Sequence, residues 1–517
     1  MTRKSFIGGA IILMAAGFIV RIMGFVYRIY LSNLIGAEGM GLFQLIMPVY
    51  SLIILTLTSG ISIAVSKMVA SELAKNHMIN LRRITKCAFS IVVFAGLFVS
   101  LAMLIFSNFI ANNILKDPRT YYSLILLIPC IPIIAASSAI KGYFYGIQEV
   151  VPTAISQIIE QIVRIALVMI MAVFFINISL QFACALATLG MAAGEIANLA
   201  ILFIVYKYKK KNILIYESKE GFMKKRNIIK ELIKISLPVS FNRFITSIMS
   251  AIEFILIPRR LISGGLSFHS SLEEYGRLTG MAMPLIFFPA LVTSSLATTL
   301  VPAISEALSL KNFKSVNHRI SKSIQLTFII GFIFTSIFLA YPNEIGNMLY
   351  RKENIGPMLY LLAFSCTFLY LQQTLLGVLN GLGKQSLSLR NSVIGYAIRI
   401  GFVYYMVPLS GVNGYVWGII VSTSIVCVLN LSSVVKTTGM FLDIRNWIIK
   451  PGIVGAVMFF TGKYVYAFFE IFNIGLTFTT LLTVLGSIVI GLMLMMVVGV
   501  LDKDEVLKLV GYPSSKA

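Results

Sequence analysis

The amino-acid sequence predicts an all-α integral membrane protein with about fourteen transmembrane helices. Three observations carry that expectation. Of 517 residues, 58% are hydrophobic and 12% are charged, against roughly 45–50% and about 25% in soluble domains. Mean hydropathy is +0.90. The apolar residues also lie in long continuous runs, which argues for helices and against the alternating pattern of an outer-membrane barrel. This composition excludes a soluble enzyme, a secreted disulfide scaffold and a disordered chain.

A spanning helix needs roughly 20 mostly apolar residues. The first such run, near 6–31, follows Arg3 and Lys4. Its length, its internal Arg21 and Arg28, and the lack of a small-x-small cleavage pattern mark an uncleaved helix and not a signal peptide. Runs near 42–68, 86–110, 121–145, 150–177 and 182–206 complete a set of six, read as an N-lobe over 1–206. The strongly basic segment 207–231 reads as a cytoplasmic linker. Runs near 232–257, 277–305, 320–340, 357–380, 388–408 and 412–435 form a second set, a C-lobe over 232–435. Polar residues blur the ends in 258–281 and 435–450. Two more runs, near 447–469 and 474–500, fall in a last section, 436–517, that ends in a cytoplasmic tail.

The charges are lopsided: 43 Lys+Arg against 20 Asp+Glu, net +23. Basic residues concentrate in cytoplasmic loops of helical membrane proteins. With the N-terminus inside, 29 basic residues fall in inside loops, Lys141 among them and ten between Lys207 and Lys234. Seven fall outside: Lys116, Arg119, Arg259, Arg260, Arg277, Arg351 and Lys352. This predicts a multi-pass cell-membrane protein with both termini cytoplasmic. Most of the basic excess is then a topology signal suited to anionic membrane lipids, and no nucleic-acid partner is expected.

Catalytic and metal motifs are missing. Cys87, Cys130, Cys184, Cys366 and Cys427 all fall in predicted spans without CxxC spacing and read as packing residues. His77, His269 and His318 sit in loops. No HExxH, GxSxG or GxxxxGK[ST] occurs, and Gly377, Gly381 and Gly383 resemble a phosphate loop only superficially. Neither an enzyme nor a bound cofactor is expected; the driving force, a coupling ion or the membrane potential, stays open.

An internal repeat is legible. Gly142-Tyr-Phe-Tyr-Gly146 stands against Gly377-Val-Leu-Asn-Gly381 at an offset of 235, and the same offset carries Arg164 onto Arg399. Met47-Pro48 against Met283-Pro284 and Ser71-Glu72 against Ser305-Glu306 follow in register, each shifted by one residue. A duplicated unit of six spans keeps its orientation, so the copies are expected to relate by an axis along the membrane normal, with the substrate path between them.

Ionisable residues inside spans are costly, and each is a functional candidate. The candidate substrate-binding arginines are Arg21, Arg28, Arg164, Arg243 and Arg399. Lys67 and Lys463 lie near span ends and read as snorkelling. The intramembrane acids are Glu160, Glu195 and Glu253, with Glu160 and Glu253 as candidate charge partners. Glu160 and Arg164 are four apart and share a helix face; the plain reading is that this pair only neutralises a buried charge. Five arginines against three glutamates leave the interior net positive. That sign suits an anionic ligand, because guanidinium grips phosphate bidentately. If the ligand is a lipid, the last two spans offer a groove for its tail.

Several runs carry a family resemblance: Arg21-Ile-Met-Gly-Phe-Val-Tyr-Arg28, then Tyr30-Leu-Ser-Asn-Leu-Ile-Gly-Ala-Glu-Gly-Met-Gly-Leu-Phe-Gln44 with Met47-Pro48, and Lys141-Gly-Tyr-Phe-Tyr-Gly-Ile-Gln148 with Pro152-Thr153. The chain resembles the multidrug/oligosaccharidyl-lipid/polysaccharide exporter superfamily, closest to stage V sporulation protein B and the MurJ-type lipid II flippases. The resemblance implies two six-helix lobes, a cavity opening alternately to each side, and transport of an undecaprenyl-linked glycan. The expected cargo is a lipid II-like peptidoglycan precursor used in spore cortex synthesis. Arg21 and Arg28 match the first-helix arginines that contact the pyrophosphate region in the MurJ type, the second shifted by one position. The basic residues usual in its second helix are absent from Leu55-Thr-Leu-Thr-Ser59. The first helix also lacks the acid common in MATE-type drug exporters. Two rival readings stand beside the flippase: a MATE-like ion-coupled small-molecule antiporter, and a non-transporting scaffold that recruits cell-wall synthesis proteins through its basic loops.

Overall fold

In this computed structural model the described residues are 6–175, 179–213, 223–351, 353–472 and 475–501; side chains are described from residue 12 on, except within 174–178 and 210–222. The terminal segments carrying the topology assignment, and residues 214–222 of the basic linker, lie outside the described residues. Each of the fourteen apolar runs is mainly helical where described, with short breaks at 128–129, 288–289 and 364–365, and no strand occurs among the described residues.

The chain divides into two units. The first comprises Met1–Arg259 with Phe268–Gly276. It holds α1 (Phe6–Ala74), α2 (Met78–Phe109), α3 (Tyr121–Leu127), α4 (Cys130–Gly146), α5 (Val151–Phe175), α6 (Leu180–Ile213), α7 (Lys225–Ser263, whose last four residues fall in the second unit) and α8 (Phe268–Gly276). The 69 residues of α1 are two helices joined at Gly36, whose φ of 69° and ψ of −176° break the helical path. Glycine reaches that conformation without Cβ strain. The first-unit core packs Ile61, Val65 and Val69 of α1, Ile84 and Val92 of α2, Tyr143 of α4 and Leu202 of α6.

The second unit comprises Arg260–Ser267 and Arg277–Ala517. It holds α9 (Met283–Phe287), α10 (Ala290–Ser309), α11 (Phe313–Ala340), α12 (Pro342–Leu349), α13 (Gly356–Ala363), α14 (Cys366–Gly381), α15 (Gln385–Tyr405), α16 (Val407–Ser410), α17 (Val412–Thr438), α18 (Lys450–Glu470) and α19 (Leu476–Val497). Its core packs Leu300 and Ile304 of α10, Ile320 and Ile324 of α11, Leu375 and Val378 of α14, and Val434 of α17.

One sequence expectation, the number of spans, meets a different arrangement. Ten described helices are long and apolar enough to cross a membrane, or eleven if α13 and α14, bent by 53°, make one span. The count of fourteen is not reached by that test for three reasons. The kinked α1 carries two of the runs, α13 and α14 split another, and charged and amide residues dilute α7 and α15. By packing, the two units divide at Arg259/Arg260. Ile228 and Leu232 of α7 belong to the first-unit core. Gly60 of α1 lets the α7 backbone come close: a Cβ there would sit 2.5 Å from Ser240 Oγ.

The repeat recurs in the packing. A Cβ on Gly142 would stand 2.7 Å from Ser62 O, and one on Gly146 2.8 Å from Ser66 O. In the second unit, a Cβ on Gly377 would stand 2.5 Å from Ala297 O, and one on Gly381 3.2 Å from Val301 O. All four glycine–partner pairs are related by the offset of 235 that the sequence shows. In both units, glycines on one helix (α4, α14) let the backbone of another (α1, α10) approach closely.

A candidate polar site inside the first unit

The apolar sequence of α6 is interrupted by Gly190-x-x-x-Gly194, a small-xxx-small stripe of the kind that lets membrane helices pack at close range. A Cβ on Gly190 would stand 3.2 Å from Arg164 O, and one on Gly194 2.8 Å from Glu160 O and 3.4 Å from Arg164 Cβ. The stripe thus brings α6 directly over the stretch of α5 that carries both charges. Arg164 Nη2 donates to Glu160 Oε1 at 2.6 Å. Asn198 Nδ2, one turn past Gly194, donates to Glu160 Oε2 at 3.1 Å and to Glu195 Oε2 at 3.3 Å. Lys141 of α4 faces Glu195 electrostatically, as do Glu160 and Arg164. Tyr27 and Tyr50 of α1 lie within the field of Arg164, and Tyr50 and Cys130 within that of Glu195.

Four helices therefore converge on a cluster of two acids, two bases and a carboxamide. The Arg164 and Glu160 side chains are 18% and 15% exposed, and Asn198 is 0% exposed. Three of its buried polar atoms have no hydrogen-bond partner: Arg164 Nε, Tyr27 Oη and Asn198 Oδ1. Among the described residues, no group of three or more His, Cys, Asp and Glu is placed to hold a metal ion.

The other candidates are dispersed. Arg21 is exposed and Arg28 half-buried on α1. Seven residues apart, they share a face with Gly24, and a Cβ there would meet Gln161 Nε2 of α5 at 3.5 Å. Arg243 is exposed on α7 between exposed Phe241 and Phe244, while Glu253 on the same helix is buried. Arg399, in the second unit, donates from Nη1 to Ser422 Oγ of α17 at 3.3 Å, and its guanidinium lies 4.6 Å from the Tyr396 ring centroid.

Sequence reasoning missed Asn198, Tyr27 and Tyr50, and placed Lys141 in a cytoplasmic loop. The structure sets Lys141 half-buried within α4. Asn198 had a readable signal: a carboxamide three residues after Glu195 in an apolar run, following a glycine stripe.

The run Gly36-Ala-Glu-Gly-Met-Gly41 forms a junction of the first unit. Glu38 Oε1 accepts from Arg119 Nη1 at 2.7 Å and lies 2.6 Å from His269 Nδ1 of α8. Asp117 in turn holds Arg119 through Nη2 at 3.0 Å. Cys184 Sγ donates to Gly39 O at 3.2 Å, and Gly41 and Gly276 let α1 and α8 meet backbone to backbone.

Residues 6–308 match the family model described as polysaccharide biosynthesis protein. The chain belongs to that family. A second model, MatE, matches residues 279–405. Stage V sporulation protein B of Bacillus subtilis (strain 168) is 31% identical over 449 residues, covering 86% of this chain and 87% of that protein. Lipid II flippase MurJ of the same organism is 26% identical over 438 residues, covering 78% of each. Among solved structures, a lipid II flippase MurJ in an inward closed conformation superposes with a TM-score of 0.68 at 15% identity, covering 94% of this chain and 98% of that one. An inward-facing MATE family multidrug resistance transporter gives 0.63 at 14% identity, covering 82% and 100%. The family member shares the fold of these MATE and MurJ structures, and ten or eleven of its described helices are long and apolar enough to cross a membrane.

Proposed function

We propose that this family member is an alternating-access flippase that moves an undecaprenyl-linked peptidoglycan precursor across the cytoplasmic membrane, in the service of spore cortex synthesis. The observation that carries this reading is the sign of the membrane interior: arginines at positions 21, 28, 164, 243 and 399 outnumber the intramembrane acids. A diphosphate matches that sign and the guanidinium geometry. The relatedness to stage V sporulation protein B and to lipid II flippase MurJ supports both the cargo class and the sporulation role. In this reading Arg21, Arg28, Arg164, Arg243 and Arg399 take turns with the diphosphate, Glu160 and Glu253 balance charge in its absence, and the chain works through two six-helix lobes with both termini in the cytoplasm. Cell-wall synthesis proteins would receive the flipped precursor.

The test is complementation of a strain lacking the endogenous flippase. Arg21→Ala and Arg164→Ala abolish complementation at unchanged membrane levels if the reading holds; wild-type function in both variants refutes it. The MatE match over 279–405 favours one second reading, an ion-coupled small-molecule antiporter. That protein would export small cations down an ion gradient and would be indifferent to the arginine substitutions.

A further inference from the structure

The first-unit cluster holds more than a neutralised pair. Asn198 is fully buried, and its NH2 is spent on two carboxylates, Glu160 and Glu195. Its Oδ1 has no donor. An ionised carboxylate only accepts, so neither glutamate can donate to that oxygen while charged. Two carboxylates converging on one amide also repel each other, and a single shared proton relieves this. We infer that Glu195, set against Glu160 on the same amide, is a proton-binding site, and that a proton there leaves Arg164 and Lys141 in charge excess for an anionic group of the substrate.

The charges facing the site give the direction of the linkage. Arg164 lies on α5 with Glu160, Lys141 and Cys130 come from α4, and Tyr27 and Tyr50 from α1. With both acids ionised, they balance Arg164 and Lys141. One proton leaves a net positive charge, which an incoming phosphate neutralises. The Arg164 fork already has one side open, because Nε has no acceptor. A metal cation at this position would add a third positive charge beside Arg164 and Lys141, whereas a proton neutralises one of the two carboxylates. Protonation therefore strengthens anion binding here.

This inference rests on the reading that Arg164 binds the diphosphate, and the experiment separates the two. The purified full chain is titrated calorimetrically with farnesyl diphosphate between pH 6 and 8, in buffers of different ionisation enthalpy. The wild type is expected to take up one proton per probe, and its affinity to fall by up to about tenfold per pH unit as pH rises. The E195Q variant keeps the low-pH affinity and loses the slope; the probe's own titration is common to both proteins and cancels in the comparison. No proton uptake by the wild type, or a wild-type slope in E195Q, overturns the proton link. R164A tests the underlying reading: lost probe binding at every pH together with a flat wild-type profile refutes the proton link alone, and wild-type binding by R164A refutes the diphosphate reading and the inference with it. If E195Q fails to accumulate, the proton count on the wild type, corrected for the separately measured titration of the probe, decides.

Discussion

On α5, Arg164 is closed by Glu160 one turn earlier, at 2.6 Å, with the Asn198 carboxamide bracing the acid from α6. On α15, 235 residues later, Arg399 stands at the matching position, and the residue one turn earlier is Gly395. There the guanidinium is met by a hydroxyl, Ser422 Oγ, and by the face of the Tyr396 ring. Gly395 lies against Val426 of α17, whose Cγ2 would stand 2.6 Å from a Cβ there. The duplicated frame thus holds two membrane arginines by different means. In the first unit an acid cancels the charge, and the cancellation can be undone by a proton. In the second, a hydroxyl and a π face meet the guanidinium. The repeat preserves the arginine and lets its compensation diverge, as expected if the positive charge is what function requires.

Substitutions can break that contrast. The largest effect is expected for Glu160→Ala, which leaves the half-buried Arg164 beside a lost partner and should cost about 2–4 kcal/mol. Thermal unfolding in detergent measures it, and a variant as stable as wild type would mean that the first-unit arginine never depended on its acid. Gly194→Leu comes next: the new side chain meets the Glu160 backbone and Cγ, forces α6 away from α5, and should cost roughly 1–3 kcal/mol. The same unfolding assay reads it, with loss of the Asn198 contacts as the structural counterpart. Gly395→Glu, combined with Val426→Ala to make room, transplants the first-unit solution into the second. It should weaken diphosphate binding about tenfold, equivalent to about 1.4 kcal/mol, with little change in melting temperature. Unchanged affinity would show that the charge of Arg399 has no role in binding. Ser422→Ala should be the mildest, about 0.5–1.5 kcal/mol for one long hydrogen bond, because the Tyr396 ring still faces the guanidinium.

Much of this contrast was legible in the sequence. The 235-residue offset joined Gly142 to Gly377, Gly146 to Gly381 and Arg164 to Arg399, because close helix packing and buried charge both constrain residue type tightly. The i, i+4 spacing put Glu160 within reach of Arg164 for the same local reason. What the sequence hid was convergence. Lys141 reads as one more basic residue near a loop until α4 is packed beside α6, and Tyr27 and Tyr50 read as ordinary aromatics of apolar runs. The assignment of α7 to the first-unit core was hidden too, since it depends on Ile228, Leu232 and Gly60 meeting across more than 160 residues of chain. The run containing Glu38 and Gly41 marks the family strongly, yet the structure makes it a packing junction with Arg119 and α8.

The central claim is that the membrane arginines carry an anionic lipid-linked cargo. Its most direct test is a flipping assay in proteoliposomes, with a fluorescent undecaprenyl-linked peptidoglycan precursor and the wild-type chain beside Arg164→Ala and Arg399→Ala. The account predicts precursor translocation by the wild type and its loss in both variants at equal protein incorporation. Translocation at the wild-type rate by both variants, or none by a wild-type chain that exports small cations instead, would contradict it.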